Sequence, residues 1–174
     1  TPSYDADHVL INDPTGLAVM SLGDGTRTYV VTGTAPYAGL PAIFTPSGHV
    51  IYGLVTDHSA TDAPVYTTDV YEFDGAASTL LLSTDGFCTP ELVSHDGRYA
   101  VIACPDPYVA TLATAATVSL PVDGVLGFEA DDTAVIATAP NADYGPSLSD
   151  VVRVGLDGKS REWLTTASSV LYLP

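Results

Sequence analysis

The feature that most constrains the fold is a hairpin unit that recurs along the chain. Copies occupy Pro41–Tyr52, Pro90–Val101 and Leu126–Val135. Each copy consists of a strand-like segment, a tight turn rich in Ser, Asp and Gly, and a strongly apolar strand. Residues Asp5–Ile11 match the second half of a fourth copy. Self-similarity of this kind indicates a repeat architecture rather than a single irregular sheet.

The spacing of the copies predicts their architecture. The turn positions that we take as equivalent are Asp7, Gly48, Gly97 and Asp132. Their average separation falls in the range that is typical of four-stranded propeller blades, about 40–50 residues. One such sheet cannot bury both faces alone, whereas radial packing buries them and leaves only short edges. The sequence therefore predicts an all-β propeller of about four four-stranded antiparallel blades.

The rest of the chain agrees with an all-β fold. Short runs rich in Val, Ile, Thr and Tyr recur from His8–Asn12 to Val170–Leu173, separated by Gly, Pro and Asp. No longer stretch keeps apolar residues at helical spacing, so we predict no helix. We treat residues 1–174 as one domain whose repeats span approximately 1–32, 33–83, 84–121 and 122–174.

The two ends of the chain bear on how the ring closes. The first repeat lacks its opening strand, and Ser169–Leu173 is an additional strand-like segment. Pairing of this segment beside His8–Asn12 would complete the first blade and close a small ring. Two alternatives stay open, because the repeats also fit part of a larger propeller or a ring that a second copy completes.

Two motifs resemble a known family. Ser94–Tyr99 reads Ser-His-Asp-Gly-Arg-Tyr and resembles the Ser-Pro-Asp-Gly-(Arg/Lys)-Tyr signature of TolB-like propeller repeats, also called WD40-like repeats. Val152–Gly158 is similar to the strand and turn that follow in such repeats. The resemblance implies a β-propeller that acts as a binding scaffold, or as the non-catalytic propeller attached to a serine peptidase.

The net charge of the chain limits the kinds of ligand that it is expected to bind. The chain has 21 acidic and five basic residues, for a net charge of −16. Such a field repels nucleic acid and anionic lipid, and leaves cationic ligands, calcium and neutral sugars as candidates. No apolar run is long enough to span a membrane, so no membrane insertion is expected. Residues 1–5 have neither the basic start nor the apolar core of a signal peptide.

The two cysteines predict a disulfide. Asp96 lies midway between Cys88 and Cys104, within the Ser94–Arg98 turn. A hairpin centred on Asp96 places the two cysteines opposite each other, at a separation that a disulfide spans. A disulfide in turn predicts an extracellular or periplasmic location, since disulfides persist in oxidising compartments. The alternative is a pair of buried thiols in a cytosolic protein.

Signatures of catalysis are missing from the sequence. It contains no Gly-x-Ser-x-Gly elbow, no His-Glu-x-x-His and no glycine-rich phosphate loop. The paired carboxylates of Asp131 and Asp132 fall at a repeat turn, where Asp serves turn geometry. We therefore expect no enzyme, no catalytic residue, no metal site and no cofactor. Calcium stays an alternative, through segments such as 5–7 and 141–143.

Loop length points to one side of the propeller. Turns after the first and third strands of each blade are short and form what we call the short-turn face. Connections after the second and fourth strands are longer and form the long-loop face, where propellers place recognition residues. Aromatic rings beside carboxylates there suit a cationic group or a sugar. The predicted ligand-binding residues are Tyr37, Asp57, His58, Asp62, Tyr66, Phe87, Tyr108, Asp143 and Tyr144, with Asp85 and Asp106 beside them.

These observations lead to one expected function and two alternatives. We expect a non-catalytic extracytoplasmic domain that binds a protein, peptide or glycan through its long-loop face. One alternative is a structural subunit that forms a dimer or filament through open blade edges. The other is an accessory propeller of a larger secreted serine peptidase.

Overall fold

The computed structural model describes residues 6–33, 41–58, 65–141 and 148–167, and every regular element in them is a β-strand. The first sheet contains β1 (His8–Asp13), β2 (Gly16–Ser21) and β3 (Arg27–Thr32). The second contains β4 (Ala42–Phe44), β5 (Val50–Asp57), β6 (Tyr66–Phe73) and β7 (Ser78–Asp85). The third contains β8 (Thr89–Val93), β9 (Tyr99–Ala103), β10 (Tyr108–Thr111) and β11 (Ala116–Ser119). The fourth contains β12 (Gly124–Phe128), β13 (Ala134–Pro140), β14 (Ser149–Gly155) and β15 (Arg161–Ala167).

All four sheets are antiparallel meanders in which spatial order follows chain order. This confirms the predicted all-β architecture of four sheets. Within the described residues the first sheet has three strands with β1 at its edge, as expected for a repeat that lacks its opening strand. The strand predicted at Val170–Leu173 lies outside the described residues. None of the described segments forms a helix with the length and apolarity that crossing a bilayer requires.

In the last three sheets the turn between the first two strands contains a residue in the left-handed backbone region, and in the first sheet the segment that precedes β1 does. These residues are Ala6, Gly48, Gly97 and Asp132, with φ values of 59°, 83°, 71° and 54°. In the last three sheets the residue's N–H donates to the carbonyl three positions earlier, which closes the turn. The predicted equivalence is thus correct for three copies and wrong by one residue in the first, where Ala6 rather than Asp7 is left-handed.

The turns between the last two strands also repeat. Asp24, Asp74 and Asp157 each accept a backbone N–H from the residue two positions ahead, at 2.9 Å. The third sheet uses Thr114 in the same way, with a longer bond of 3.4 Å to the N–H of Ala116. A short side chain that bonds its own turn explains why so much of the acid in this chain is Asp.

Apolar clusters join neighbouring sheets. Leu17 and Val30 of the first sheet pack with Phe44, Val50, Tyr52 and Phe73 of the second. The other two clusters join the second sheet to the third and the third to the fourth. Among the described residues, no cluster joins the fourth sheet to the first. The second strand of each of these sheets is therefore an almost continuous apolar run, because successive residues face different neighbours: Val50 and Tyr52 enter one cluster and Ile51 enters the next.

Candidate functional site

The long-loop face is built from the ends of the second strands and the starts of the third. In the second sheet, Asp57 at the end of β5 pairs with Tyr66 at the start of β6. Thr67 pairs with Asp85 at the end of β7. β5 ends at Asp57 and β6 begins at Tyr66, so both residues lie where the strands meet this face. The register therefore fixes Asp57, Tyr66 and Asp85 at one end of a single sheet.

An aromatic pair connects this end of the second sheet to the third. The rings of Tyr66 and Phe87 meet edge to face, with centroids 6.1 Å apart. Phe87 is 45% exposed, Tyr66 is half-buried, and Val65, which precedes Tyr66 in the chain, is 54% exposed. Large apolar side chains that remain exposed together mark interaction sites more often than scattered ones do. We call Val65, Tyr66 and Phe87, with the flanking Asp57 and Asp85, the rim patch.

Buried hydrogen bonds hold the segment that presents Phe87. The fully buried Thr68 donates its hydroxyl to the carbonyl of Gly86 at 2.7 Å and accepts the N–H of Cys88 at 3.0 Å. The N–H of Gly86 donates to the carbonyl of Tyr66 at 2.8 Å. These bonds fix the backbone on both sides of Phe87, so its ring is presented from a rigid support.

The predicted disulfide lies directly beside the rim patch. Cys88 and Cys104 are bonded, with Cα atoms 4.4 Å apart, and Cys88 is fully buried. The Cα separation is that of a non-hydrogen-bonded antiparallel pair. The pairing continues the register of Thr89 with Ala103. The bond therefore joins the segment just before β8 to the segment just after β9.

The other predicted binding residues fall into three groups. His58 is exposed, and its Nε2 lies 3.0 Å from the hydroxyl oxygen of Thr67, next to the rim patch. Asp106 is exposed in the connection after β9. Tyr108 differs, because it begins β10 and packs against the core between the second and third sheets. The predicted residues outside the described part of the chain are Tyr37, Asp62, Asp143 and Tyr144.

Positive charge is distributed unevenly over the molecule. The lysine and arginines occupy only positions 27, 98, 153, 159 and 161. Arg98 pairs with Asp96, and Arg153 pairs with Glu129 at 2.9 Å, both beside turns of the short-turn face. No lysine or arginine lies in the sequence of the long-loop connections, whereas Asp85 and Asp106 there are exposed. The exposed carboxylates of these connections therefore have no lysine or arginine beside them in sequence, unlike those of the short-turn face.

Metal ligands do not gather in the described residues. Within 6–33, 41–58, 65–141 and 148–167, no three His, Cys, Asp or Glu side chains are grouped to hold an ion. One pocket of about 420 Å³ lies at the first turn of the fourth sheet, lined by Glu129, Ala130, Asp131 and Ile136. Asp131 is held there by Thr133, whose hydroxyl and N–H hydrogen bonds lower the pKa of the carboxyl.

Sequence reasoning missed a second exposed aromatic site. Trp163 on β15 is 61% exposed, and its indole N–H donates to Asp150 at 3.2 Å. The hydroxyl of Thr166 and the side-chain amide of Asn141 donate to the same carboxylate, both at 2.7 Å. These bonds lower the pKa of Asp150. The available signal was that the chain's single tryptophan follows Arg161 and Glu162 in an outer strand.

Comparisons with known proteins bear on the fold. No family model matches the sequence, and no curated protein matches it. TolB from Acinetobacter baumannii is similar in structure, with a TM-score of 0.59 and 12% identity over 94% of this chain and 42% of that chain. The putative TolB from Agrobacterium tumefaciens gives a TM-score of 0.59 and 20% identity over 95% of this chain and 60% of that one.

A third structure extends the comparison. The calcium-binding protein regucalcin from Agrobacterium tumefaciens gives a TM-score of 0.51 and 17% identity over 89% of this chain and 56% of that chain. The present chain thus spans about 42–60% of the length of these three structures. Together they confirm that the chain has the fold of a TolB-like β-propeller.

Proposed function

We propose that this chain is a non-catalytic, extracytoplasmic binding domain whose rim patch takes a positively charged, partly apolar segment of a protein or peptide. The observation that carries the proposal is the Tyr66–Phe87 pair, in which an exposed Phe87 ring meets a half-buried Tyr66 ring on a rigid support. A partner's cationic side chain gains from an aromatic face, and the exposed Asp57 and Asp85 add attraction.

The rigidity of the patch favours binding. The segment around Phe87 is held by Thr68 and by the Cys88–Cys104 disulfide before any partner arrives. Less conformational entropy is therefore lost on association than with a free loop. The same disulfide supports the extracytoplasmic location, because such bonds persist where thiols are oxidised. No cofactor enters this proposal.

Charge supports a cationic rather than an anionic partner. The long-loop connections contain no lysine or arginine, and the protein carries a net charge of −16. Binding of a cationic segment is therefore assisted by long-range attraction that salt weakens. An anionic glycan or an acidic peptide would be repelled at the same face.

A peptide-binding assay tests the proposal. The probe is a fluorescein-labelled peptide of alternating Arg and Leu, compared by anisotropy with the matching Glu and Leu peptide. We expect saturable binding of the first peptide only, weaker at high salt. Phe87→Ala with Tyr66→Ala should reduce the affinity about tenfold or more, since aromatic and cation–π contacts are lost.

Leu80→Ala is the matched control. Leu80 is also a large exposed apolar residue, 46% exposed, but it lies on the outer strand β7 away from the rim patch. Its replacement should leave the affinity unchanged. Equal binding of the two peptides, or wild-type affinity in the Phe87/Tyr66 double variant, would exclude the rim patch as the site.

A second candidate function is a self-associating structural subunit. The observation that favours it is the three-stranded first sheet, in which β1 is an inner edge among the described residues. Unpaired edge strands template pairing with another chain. Light scattering separates the two proposals, because a stable monomer at micromolar concentration excludes the structural subunit and leaves the binding domain.

A further inference from the structure

The outer strands of the fourth sheet present an aromatic ring and a carboxylate that are separate from the rim patch. Trp163 on β15 is 61% exposed, more than any other large apolar residue among those described. Its indole N–H donates to Oδ1 of Asp150 on β14 at 3.2 Å, which sets the orientation of the ring. An exposed indole with a fixed ring is a stacking surface that exists before a ligand binds.

The carboxylate beside the ring is only partly used. Trp163, Thr166 and Asn141 all donate to Oδ1 of Asp150. Within the part of the chain that the structure describes, no hydrogen bond reaches Oδ2. A carboxylate oxygen next to an aromatic face can accept a hydroxyl or amide N–H of a ligand that stacks on the ring.

We propose that Trp163 and Asp150 form a binding site for a neutral oligosaccharide. The C–H face of one sugar ring stacks on the indole of Trp163, and a hydroxyl of that sugar donates to Oδ2 of Asp150. Thr166 and Asn141 position the carboxylate through Oδ1. The site does not depend on the rim patch, since no residue is shared between the two.

Local charge argues for a neutral ligand. Arg161 lies two residues before Trp163 on the same strand, and its charge acts on Asp150. The charge of Arg161 offsets that of Asp150, so a cationic ligand gains less from the carboxylate here than at the rim patch. Anionic glycans are disfavoured by the net charge of −16.

The geometry of β15 argues against a second copy of the chain as the occupant. Val151 pairs with Thr165 and Val152 with Trp163, so Leu164 is an extra residue that interrupts the register. Bulges and charged residues are the devices by which edge strands avoid pairing with other edges. Arg161 and Glu162 supply charges at the start of the same strand.

Trp163 makes the proposal directly measurable, because it is the only tryptophan in the chain. The intact protein is titrated with cellohexaose, chitohexaose, xylohexaose and mannohexaose while its intrinsic fluorescence is recorded. We expect a saturable change in intensity or wavelength with at least one of these neutral sugars. Calorimetry with the same sugar should give about tenfold weaker binding for Asp150→Ala and loss of binding for Trp163→Leu.

Two control variants show whether the sugar binds at this site. Leu164→Ala removes an exposed neighbour, 42% exposed, and should leave sugar binding unchanged. Phe87→Ala should also bind the sugar normally, so that failure of the rim patch and failure of this site are distinguishable. Wild-type calorimetric affinity in Trp163→Leu overturns the proposal. So does the absence of a saturable response to all four sugars, or a fluorescence change that depends on protein concentration alone.

Discussion

The carboxylate of Asp132 accepts hydrogen bonds from His95, although the two residues belong to the first turns of different sheets. Oδ1 of Asp132 accepts the backbone N–H of His95 at 3.0 Å and lies 2.9 Å from its Nδ1. Oδ2 accepts the backbone N–H of Asp96 at 2.8 Å. Asp132 is only 5% exposed, so one carboxylate of the fourth sheet caps the turn of the third.

Replacement of Asp132 should therefore destabilise the packing of these two sheets. Asp132→Gly removes the carboxylate but accepts the left-handed backbone. We expect it to lower the free energy of unfolding by about 1–3 kcal/mol, because two backbone N–H groups and the His95 ring lose their acceptor. Asp132→Ala should lower the free energy of unfolding further than Asp132→Gly does, since alanine in the left-handed conformation adds strain of about 1 kcal/mol. Urea unfolding measures both. The exposed Asp123→Ala is the control and should change stability by less than about 0.5 kcal/mol.

The same carboxylate predicts a pH dependence. Burial alone raises the pKa of Asp132, but the hydrogen bonds from His95 and Asp96 outweigh it and hold the pKa below its ordinary value of 3.8. A carboxyl whose pKa is lower in the folded state stabilises the fold fully above the unfolded pKa, and that contribution disappears as pH falls through the folded pKa. The stability difference between wild type and Asp132→Asn should thus be constant near neutrality and shrink below about pH 4. A difference that persists undiminished in strong acid would contradict this role.

The Cys88–Cys104 disulfide should contribute to both stability and binding. It closes a loop with a sequence separation of 16. Loop-closure entropy predicts that Cys88→Ser with Cys104→Ser lowers the free energy of unfolding by about 3 kcal/mol. The double variant should also bind the Arg-Leu peptide more weakly, because Cys88 follows Phe87 directly. Mass spectrometry of non-reduced protein checks the bond itself, and two free thiols in native material would refute it.

The closing strand of the ring remains a prediction that truncation can test. If Val170–Leu173 pairs with β1, deletion of residues 168–174 removes a row of backbone hydrogen bonds from the first sheet. We expect the truncated protein to have a lower unfolding midpoint. We also expect the deletion to accelerate hydrogen exchange more in His8–Asp13 than in β13 (Ala134–Pro140). Exchange in β1 that does not respond to the deletion would exclude this pairing and favour the larger or two-copy ring.

The disulfide illustrates how a correct prediction can depend on an unseen detail. The third hairpin is centred between Asp96 and Gly97, since Val93 pairs with Ala100. A bulge at Glu91 then shifts the register by one residue, so that Pro90 pairs with Ile102 and Cys88 meets Cys104. A hairpin centred on Asp96 gives the same pairing without the bulge. The sequence predicted the pair, but nothing in it marked Glu91 as the extra residue.

The candidate binding residues also divide into those whose position follows from strand order and those whose exposure depends on packing. Tyr66, Asp57 and Phe87 could be assigned to the long-loop face because strand order and loop length determine which end of a sheet a residue occupies. Tyr108 begins β10 at the same face, but its side chain is partly buried against the core between the second and third sheets. Trp163 was missed because its exposure depends on the position of β15 at the outer edge of its sheet and on what packs against it.

The sequence by itself determined the hairpins, their turns and the strongly apolar strands, because these depend on hydrogen bonds, backbone preferences and residue types within a few adjacent positions. The tertiary structure alone decided that Asp132 caps the turn at His95, that Thr68 supports the segment bearing Phe87, and that Asp150 orients Trp163. Those contacts join residues that are distant in the chain or depend on strand register. Their geometry follows from how the strands align and the sheets pack, which no local pattern of residues encodes.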